Sequence, residues 1–234
     1  HLFVGHTEGV FDFVLLPDAE TLLSASLDGT LRLWEIATQQ TLHIFAEHDN
    51  PVCVVAVTTD GRFALSGDVA GMLIYWEVAT GRLINRWAGH DGVVSRVVFL
   101  PDRMQALSAG DDGLLKLWDV ETEDCLRTFR GHEQGVSALT VTANGRLALS
   151  GGVDNHLILW ELSTGEIRHH LTGYRSVLPY DPKMQAHWGT VMDVAIFSDG
   201  QQAVSVGEDQ QIIIWDLAIG QMRSRYWHPT NIYS

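Results

Sequence analysis

Trp34, Trp76, Trp118 and Trp160 stand 42 residues apart, and Trp215 follows 55 residues after Trp160. His6, His48, His90, His132 and His187 keep the same intervals, including the long last one. Two unlike markers that slip together by 13 residues define one repeating unit and place an insertion between Trp160 and His187. A unit this short cannot bury its own apolar face, so the copies must stack on one another. The repeats run at about 5–47, 48–88, 89–130, 131–173 and 187–227, with the insertion at 174–186. A chain of 234 residues suits one large β domain, here spanning 1–234. It buries a core without disulfide staples.

Each unit reads as four short strands. In the first, these are Val10 to Leu16, Leu22 to Ser26, Leu31 to Ile36 and Thr41 to Phe45. Asp60-Gly61, Asn144-Gly145 and Asp199-Gly200 fall at equivalent places and supply the positive φ angles of tight hairpins. The third strand carries Leu31, Leu73, Leu115, Leu157 and Ile212 at one apolar position, and Leu33, Tyr75, Leu117, Leu159 and Ile214 at another. Between them stand Arg32, Ile74, Lys116, Ile158 and Ile213. Arg32 and Lys116 predict a face that meets water, whereas the three isoleucines predict strands covered on both faces. In the first strand, Val10, Phe13 and Leu15 and their counterparts are spaced by three and then two. A flat strand keeps a period of two, so the extra residue predicts a β-bulge.

The charge balance constrains partners. Fifteen Lys and Arg against 29 Asp and Glu give a formal net charge of −14. Such a field repels duplex nucleic acid and anionic membranes and favours a protein or peptide of neutral or basic character. Cys53 and Cys125 lie outside any paired-cysteine motif, which predicts two thiols in a reducing, cytoplasmic setting. No apolar run is long enough to span a bilayer as a helix. No signal-like start is visible, although the chain begins at His1, which implies sequence upstream.

These residues closely resemble the WD-repeat family over nearly the whole chain. Gly5-His6, Gly89-His90 and Gly131-His132 match its Gly-His element. Trp118-Asp119 and Trp215-Asp216 match its Trp-Asp element, with Glu following Trp34, Trp76 and Trp160. The resemblance implies an all-β fold, a β-propeller of four-stranded antiparallel blades, with five complete repeats and partial strands at both ends. It further implies a buried tetrad of His, Ser, Asp and Trp in each blade. The matching sets are His6, Ser24, Asp28 and Trp34; His90, Ser108, Asp112 and Trp118; His132, Ser150, Asp154 and Trp160; and His187, Ser205, Asp209 and Trp215. The second repeat has His48, Ser66 and Trp76 but Ala70 at the Asp position, so its tetrad should be incomplete and its turn looser unless Asp68 compensates.

Recurrence decides among chemical readings. His, Ser and Asp together resemble a hydrolase triad, but a catalytic site occurs once and this set recurs at fixed spacing. No Cys/His cluster has zinc spacing, and the adjacent His169 and His170 point to opposite faces of a strand. No phosphate loop backed by a helix start is present, so no catalytic residue, metal or cofactor is expected. An enzyme working in the channel would need unrepeated acids at the rim, for which Asp12, Asp111, Asp193 and Glu208 are the candidates.

The expected function is that of a noncatalytic interaction scaffold presenting a loop-rich face. The insertion supplies Tyr174, Arg175, Leu178, Tyr180, Lys183 and Met184, rich in residue types that dominate binding. The bulge positions add Phe11, Asp12, Arg96, Met192 and Asp193, which vary among repeats where core positions do not. The alternative is a sensor or regulatory domain of a larger signalling protein, such as a kinase or nucleotide-switched ATPase. Turns such as Ala79-Thr80-Gly81 are similar to those of bacterial family members. Leu2 to Val4 read as the fourth strand of a blade that lacks its other three, and His228 reads as the start of a further repeat. The expectation is therefore a fragment of a larger propeller, whose missing blades or flanking domains are themselves partners.

Overall fold

The computed structural model describes residues 2–101, 104–171 and 186–227. They form five antiparallel sheets, each of four strands in sequence order. The first holds β1 (Val10–Leu15), β2 (Thr21–Ser26), β3 (Leu31–Glu35) and β4 (Thr41–Phe45). The second holds β5 (Val52–Val57), β6 (Phe63–Asp68), β7 (Met72–Glu77) and β8 (Arg82–Ala88). The third holds β9 (Val94–Phe99), β10 (Gln105–Gly110), β11 (Leu114–Asp119) and β12 (Cys125–Arg130). The fourth holds β13 (Val136–Val141), β14 (Leu147–Gly152), β15 (Leu157–Glu161) and β16 (Ile167–Leu171). The fifth holds β17 (Val191–Ile196), β18 (Gln202–Gly207), β19 (Gln211–Asp216) and β20 (Gln221–Trp227). The strands expected in the first repeat lie within a residue of those observed.

The chain divides into two compact units, His1–Gly110 with Lys116–Leu126, and Asp111–Leu115 with Arg127–Ser234. In the first unit, β1 lies against β5 and β5 against β9. One apolar cluster joins Leu23, Leu31 and Phe45 of the first sheet to Val52, Ile74 and Trp76 of the second. Another joins Leu65, Leu73 and Trp87 to Val94, Phe99 and Trp118. In the second unit, β13 lies against β17, and Leu149, Leu157 and Leu171 pack on Val191, Ile213 and Trp215. Trp76, Trp160 and Trp215 are fully buried, and truncating such a side chain to Ala costs about 3–5 kcal/mol.

All five first strands contain the bulge that their three-then-two spacing predicts. The register shifts between Val10 and Asp12, Val52 and Val54, Val94 and Arg96, Val136 and Ala138, and Val191 and Asp193. The hairpin turns differ from the simplest expectation. Only the glycines of the Asp-Gly and Asn-Gly pairs take positive φ, near 70°, 63° and 66° for Gly61, Gly145 and Gly200. Gly61 N–H donates to Thr58 O (2.8 Å), so glycine closes a β-turn from its fourth position. Asp60 instead accepts from Thr58 Oγ1–H (2.6 Å) and Arg62 N–H (3.0 Å).

Two other expectations are corrected. Lys116 is half-buried in a covered face where water was expected, whereas half-buried Arg32 shares its face with Val10, Phe13 and Leu15, which do meet water. Their cations lie 5.9 and 5.8 Å from the rings of Trp34 and Trp118, and Lys116 Nζ donates to Gly89 O (2.6 Å). The long aliphatic stems thus take the place of isoleucine while the charge finds a ring face and a carbonyl. Leu2 to Val4 form no strand with the other described residues. Phe3 nevertheless packs edge-on against Trp34, with ring centroids 5.6 Å apart. Cys53 is half-buried, Cys125 is exposed, and no disulfide joins them.

Candidate interaction face

The end of the second strand, the turn after it and the residues before the bulge meet at one edge of each sheet, and a tetrad holds them there. In the first sheet Trp34 Nε1–H donates to Ser24 Oγ (2.8 Å), and Ser24 Oγ–H donates to His6 Nε2 (2.7 Å). His6 Nδ1–H donates to Asp28 Oδ2 (2.9 Å). The direction follows from the carboxylate, which only accepts and so fixes the proton on Nδ1. Asp28 also accepts from the N–H groups of Thr7 and Thr30, both at 3.0 Å. The same wiring joins Trp160, Ser150, His132 and Asp154. It joins Trp215, Ser205, His187 and Asp209 in the fifth sheet. In the third sheet Ser108 binds both His90 (2.7 Å) and Trp118 (2.8 Å), and Asp112 accepts from Leu114 N–H (3.1 Å).

The second tetrad is complete, contrary to the expectation drawn from Ala70. Asp68 accepts from His48 Nδ1–H at 3.0 Å, and neither side chain is exposed. Ser66 and Trp76 complete the set. The turn is not loose, because Asp68 Oδ1 accepts from the N–H groups of both Ala70 and Met72 at 2.9 Å. Asp68 stands at the strand position filled by Gly152 and Gly207 elsewhere. A Cβ added at Gly207 would lie 2.6 Å from His187 Nδ1, so this position aims straight at the imidazole. A carboxylate sent from there makes one from position 70 redundant.

Burial pushes the carboxyl groups of Asp28, Asp68, Asp154 and Asp209 up, but hydrogen bonds outweigh it and hold each below the ordinary Asp value. For Asp28 the strongest come from Thr30 and His6; for Asp154, from His132 and His156. The wiring is that of a Ser-His-Asp triad, yet the serine cannot act as one. Each Oγ already accepts a tryptophan N–H, and Ser66, Ser108, Ser150 and Ser205 are wholly buried. Among the described residues no group of three or more His, Cys, Asp or Glu is placed to hold a metal ion.

Above the tetrads, backbone bonds draw the turn onto the residue before the bulge. Leu27 N–H donates to Gly9 O, Val69 to Pro51, Val153 to Gly135 and Glu208 to Thr190, at 2.9–3.0 Å. The bulge candidates separate into two kinds. Phe11 is 63% exposed, and Met192 is half-buried. Asp12 is a stitch: its oxygens accept Phe13 N–H and, across to the second sheet, Val55 N–H, both at 2.9 Å. Asp193 is exposed and accepts Val194 N–H (2.8 Å), while Arg96 is half-buried and donates to Ser95 O (2.8 Å). Val54 and Ala138, in the same row, are core. Asp111 and Glu208 are exposed. Tyr174, Arg175, Leu178, Tyr180, Lys183 and Met184 lie outside the described residues.

The sequence reading passed over Trp188 and Trp227. They are 59% and 61% exposed, with ring centroids 6.0 Å apart, and the Arg225 guanidinium lies 5.9 Å from the Trp188 ring. The signal was available, since the residue after the tetrad histidine is Thr7, Asp49, Asp91 or Glu133 elsewhere and tryptophan only here.

The WD40 family model, described as "WD domain, G-beta repeat", matches residues 1–35, 39–77, 81–119, 123–161 and 181–216. The three middle matches each run from the outer strand of one sheet to the third strand of the next, half a step out of phase with the sheets. The chain belongs to the WD-repeat family. Such domains generally serve as protein-interaction scaffolds. Among solved structures, one titled "Structure of U3-55K" superposes with a TM-score of 0.83 at 21% identity, covering 97% of this chain and 67% of that one. That likeness bears on the fold alone. No curated protein matches the chain by sequence.

Proposed function

We propose that this chain is a noncatalytic scaffold that binds a protein or peptide through the rim above the tetrads of the fifth sheet. The observation that carries this reading is the pair Trp188 and Trp227. Two large aromatic side chains held more than half exposed are the residue type that anchors binding partners. Their positions are set by the tetrad histidine and by β20, so a partner meets a preformed platform. The net charge of −14 favours a basic or neutral partner. The insertion ends just before His187, which places its aromatic and basic residues next to this platform in sequence.

Peptide-library selection against the chain, followed by calorimetry on the selected peptides, tests the proposal. Trp188→Ala with Trp227→Ala should weaken binding at least tenfold while circular dichroism stays unchanged. Deleting residues 174–184 should weaken it further. Selected peptides that bind the double variant as tightly as the parent would place the binding surface elsewhere.

A further inference from the structure

Four columns of the repeat are broken at one place in the first unit. Tyr75 stands where the other sheets carry Leu33, Leu117, Leu159 and Ile214. Phe63 replaces Thr21, Gln105, Leu147 and Gln202, and Phe99 is the one aromatic residue in the column of Leu15, Val57, Val141 and Ile196. Met104 is the one apolar member of the column that holds Glu20, Arg62, Arg146 and Gln201. The three rings meet between the second and third sheets, where Tyr75 lies 5.3 Å from Phe63 and 6.3 Å from Phe99, centroid to centroid. Phe63 and Phe99, with Leu100 and Met104, wall a cavity of about 290 Å³ at the strand ends away from the tetrads, and Asp60 stands on its rim.

Tyr75 is 2% exposed, and its hydroxyl has no hydrogen-bond partner among the described residues. Filling the junction does not explain that hydroxyl, since phenylalanine has the same ring and buried polar groups are otherwise paired. Phe63 opens β6 and Phe99 closes β9, so both stand at the turn end of their strands. A ring packed on the two leans that way and carries its hydroxyl toward the cavity. Charges around the turns act on it as well. Burial first, and then the carboxylates of Glu121 and Asp60, push the phenol pKa up, against a smaller pull from Arg62. The hydroxyl therefore keeps its proton at neutral pH and is a donor.

We propose that this cavity binds a small uncharged aromatic molecule with a hydrogen-bond acceptor at one end, which takes the Tyr75 O–H. The walls are apolar and aromatic, and the volume exceeds the roughly 150 Å³ that holds a benzene ring. A buried donor selects for an acceptor, because a ligand without one leaves it unpaired. The Asp60 carboxyl, held below the ordinary Asp value mainly by the Thr58 hydroxyl, is ionised and repels anions from the rim. Phe63 is half-buried and packed on the Tyr75 ring, and it gives way to bring the acceptor to the hydroxyl. The two sheets stay in place, because Asn85 Nδ2–H groups donate across the junction to Val120 O (3.0 Å) and Glu121 O (2.9 Å).

Amide chemical-shift titration of the isotope-labelled chain with three one-ring probes tests the proposal. Acetophenone carries the acceptor, isopropenylbenzene has the same shape without it, and benzoate carries it with a negative charge. Acetophenone should shift the amides of Asp60, Phe63, Leu100 and Met104 before others, and should bind about fivefold or more tightly than either of the other probes. Tyr75→Phe should remove the advantage of acetophenone over isopropenylbenzene and leave the circular dichroism spectrum unchanged. Without ligand, Tyr75→Phe protein should melt no lower than the parent, because the substitution removes an unpaired hydroxyl. A lower melting temperature would mean that water already satisfies the hydroxyl, and it overturns the proposal. Equal affinity for acetophenone and isopropenylbenzene does the same, as does an advantage that survives in Tyr75→Phe, benzoate bound as tightly as acetophenone, or shifts that spare this cavity.

Discussion

At the residue scale, the tetrad is a line of polarised hydrogen bonds from indole to hydroxyl to imidazole to carboxylate, each member satisfying the next in a dry interior. Its stabilising weight rests on the carboxylate, because removing that group strands a buried imidazole N–H. Asp68→Ala should therefore cost about 3 kcal/mol in urea denaturation. The double variant Asp68→Gly with Ala70→Asp rebuilds the arrangement of Gly207 and Asp209 and should recover most of that loss. A double variant no more stable than Asp68→Ala would show that the second turn cannot take the common form. The lowered carboxyl pKa values give the acid side of the pH profile. Their stabilisation is fully present above the unfolded Asp value of about 3.9 and is lost as pH falls through the folded values. His156 works with the opposite sign. The Asp154 carboxylate, 3.7 Å from its Nδ1, raises its pKa, so its contribution is complete below about 6.5 and is lost as pH rises through the raised value. Denaturation midpoints of His156→Ala protein should lose the alkaline slope and keep the acid one.

At the element scale, legibility followed periodicity. The common clock of tryptophan and histidine, and the three-then-two spacing before it, made the sheets, four of the tetrads and all five bulges readable in advance, because each depends on one residue type recurring in one column. What left its column was harder to read. Asp68 reaches His48 from two residues earlier than its counterparts, so a column-wise comparison finds Ala70 and offers Asp68 only as a neighbour that could compensate. Arg32 and Lys116 look like solvent positions by charge, and only their aliphatic stems and the neighbouring indole explain their burial. The turn from β1 to β2 carries a similar departure with a testable cost. Ala19 holds φ at 57°, donates to Leu16 O (3.0 Å), and takes the place of Gly61, Gly145 and Gly200. A left-handed alanine is strained by about 1 kcal/mol, partly offset by the freer unfolded chain that glycine brings. Ala19→Gly should raise stability by about 0.5 kcal/mol or less, whereas Gly61→Ala should lower it, as thermal melts of the two would record.

At the scale of the whole molecule, stability in stacked repeats is a sum of sheets and junctions, so a sheet with one covered face contributes unequally from its two sides. The fifth sheet shows this within three consecutive residues. Ile213 is fully buried among Leu157, Val191 and Trp215, while its neighbours Ile212 and Ile214 lie half-exposed on the other face. All three are isoleucines, so intrinsic strand propensity and backbone effects cancel in a comparison. Ile213→Ala should cost about 2–4 kcal/mol, from lost transfer free energy and the cavity left behind. Ile214→Ala removes the same atoms from a half-wet surface and should cost about 1 kcal/mol or less in dilute protein. Equal costs for the two substitutions would mean that the two faces of β19 are equally covered, against the alternating burial seen along it.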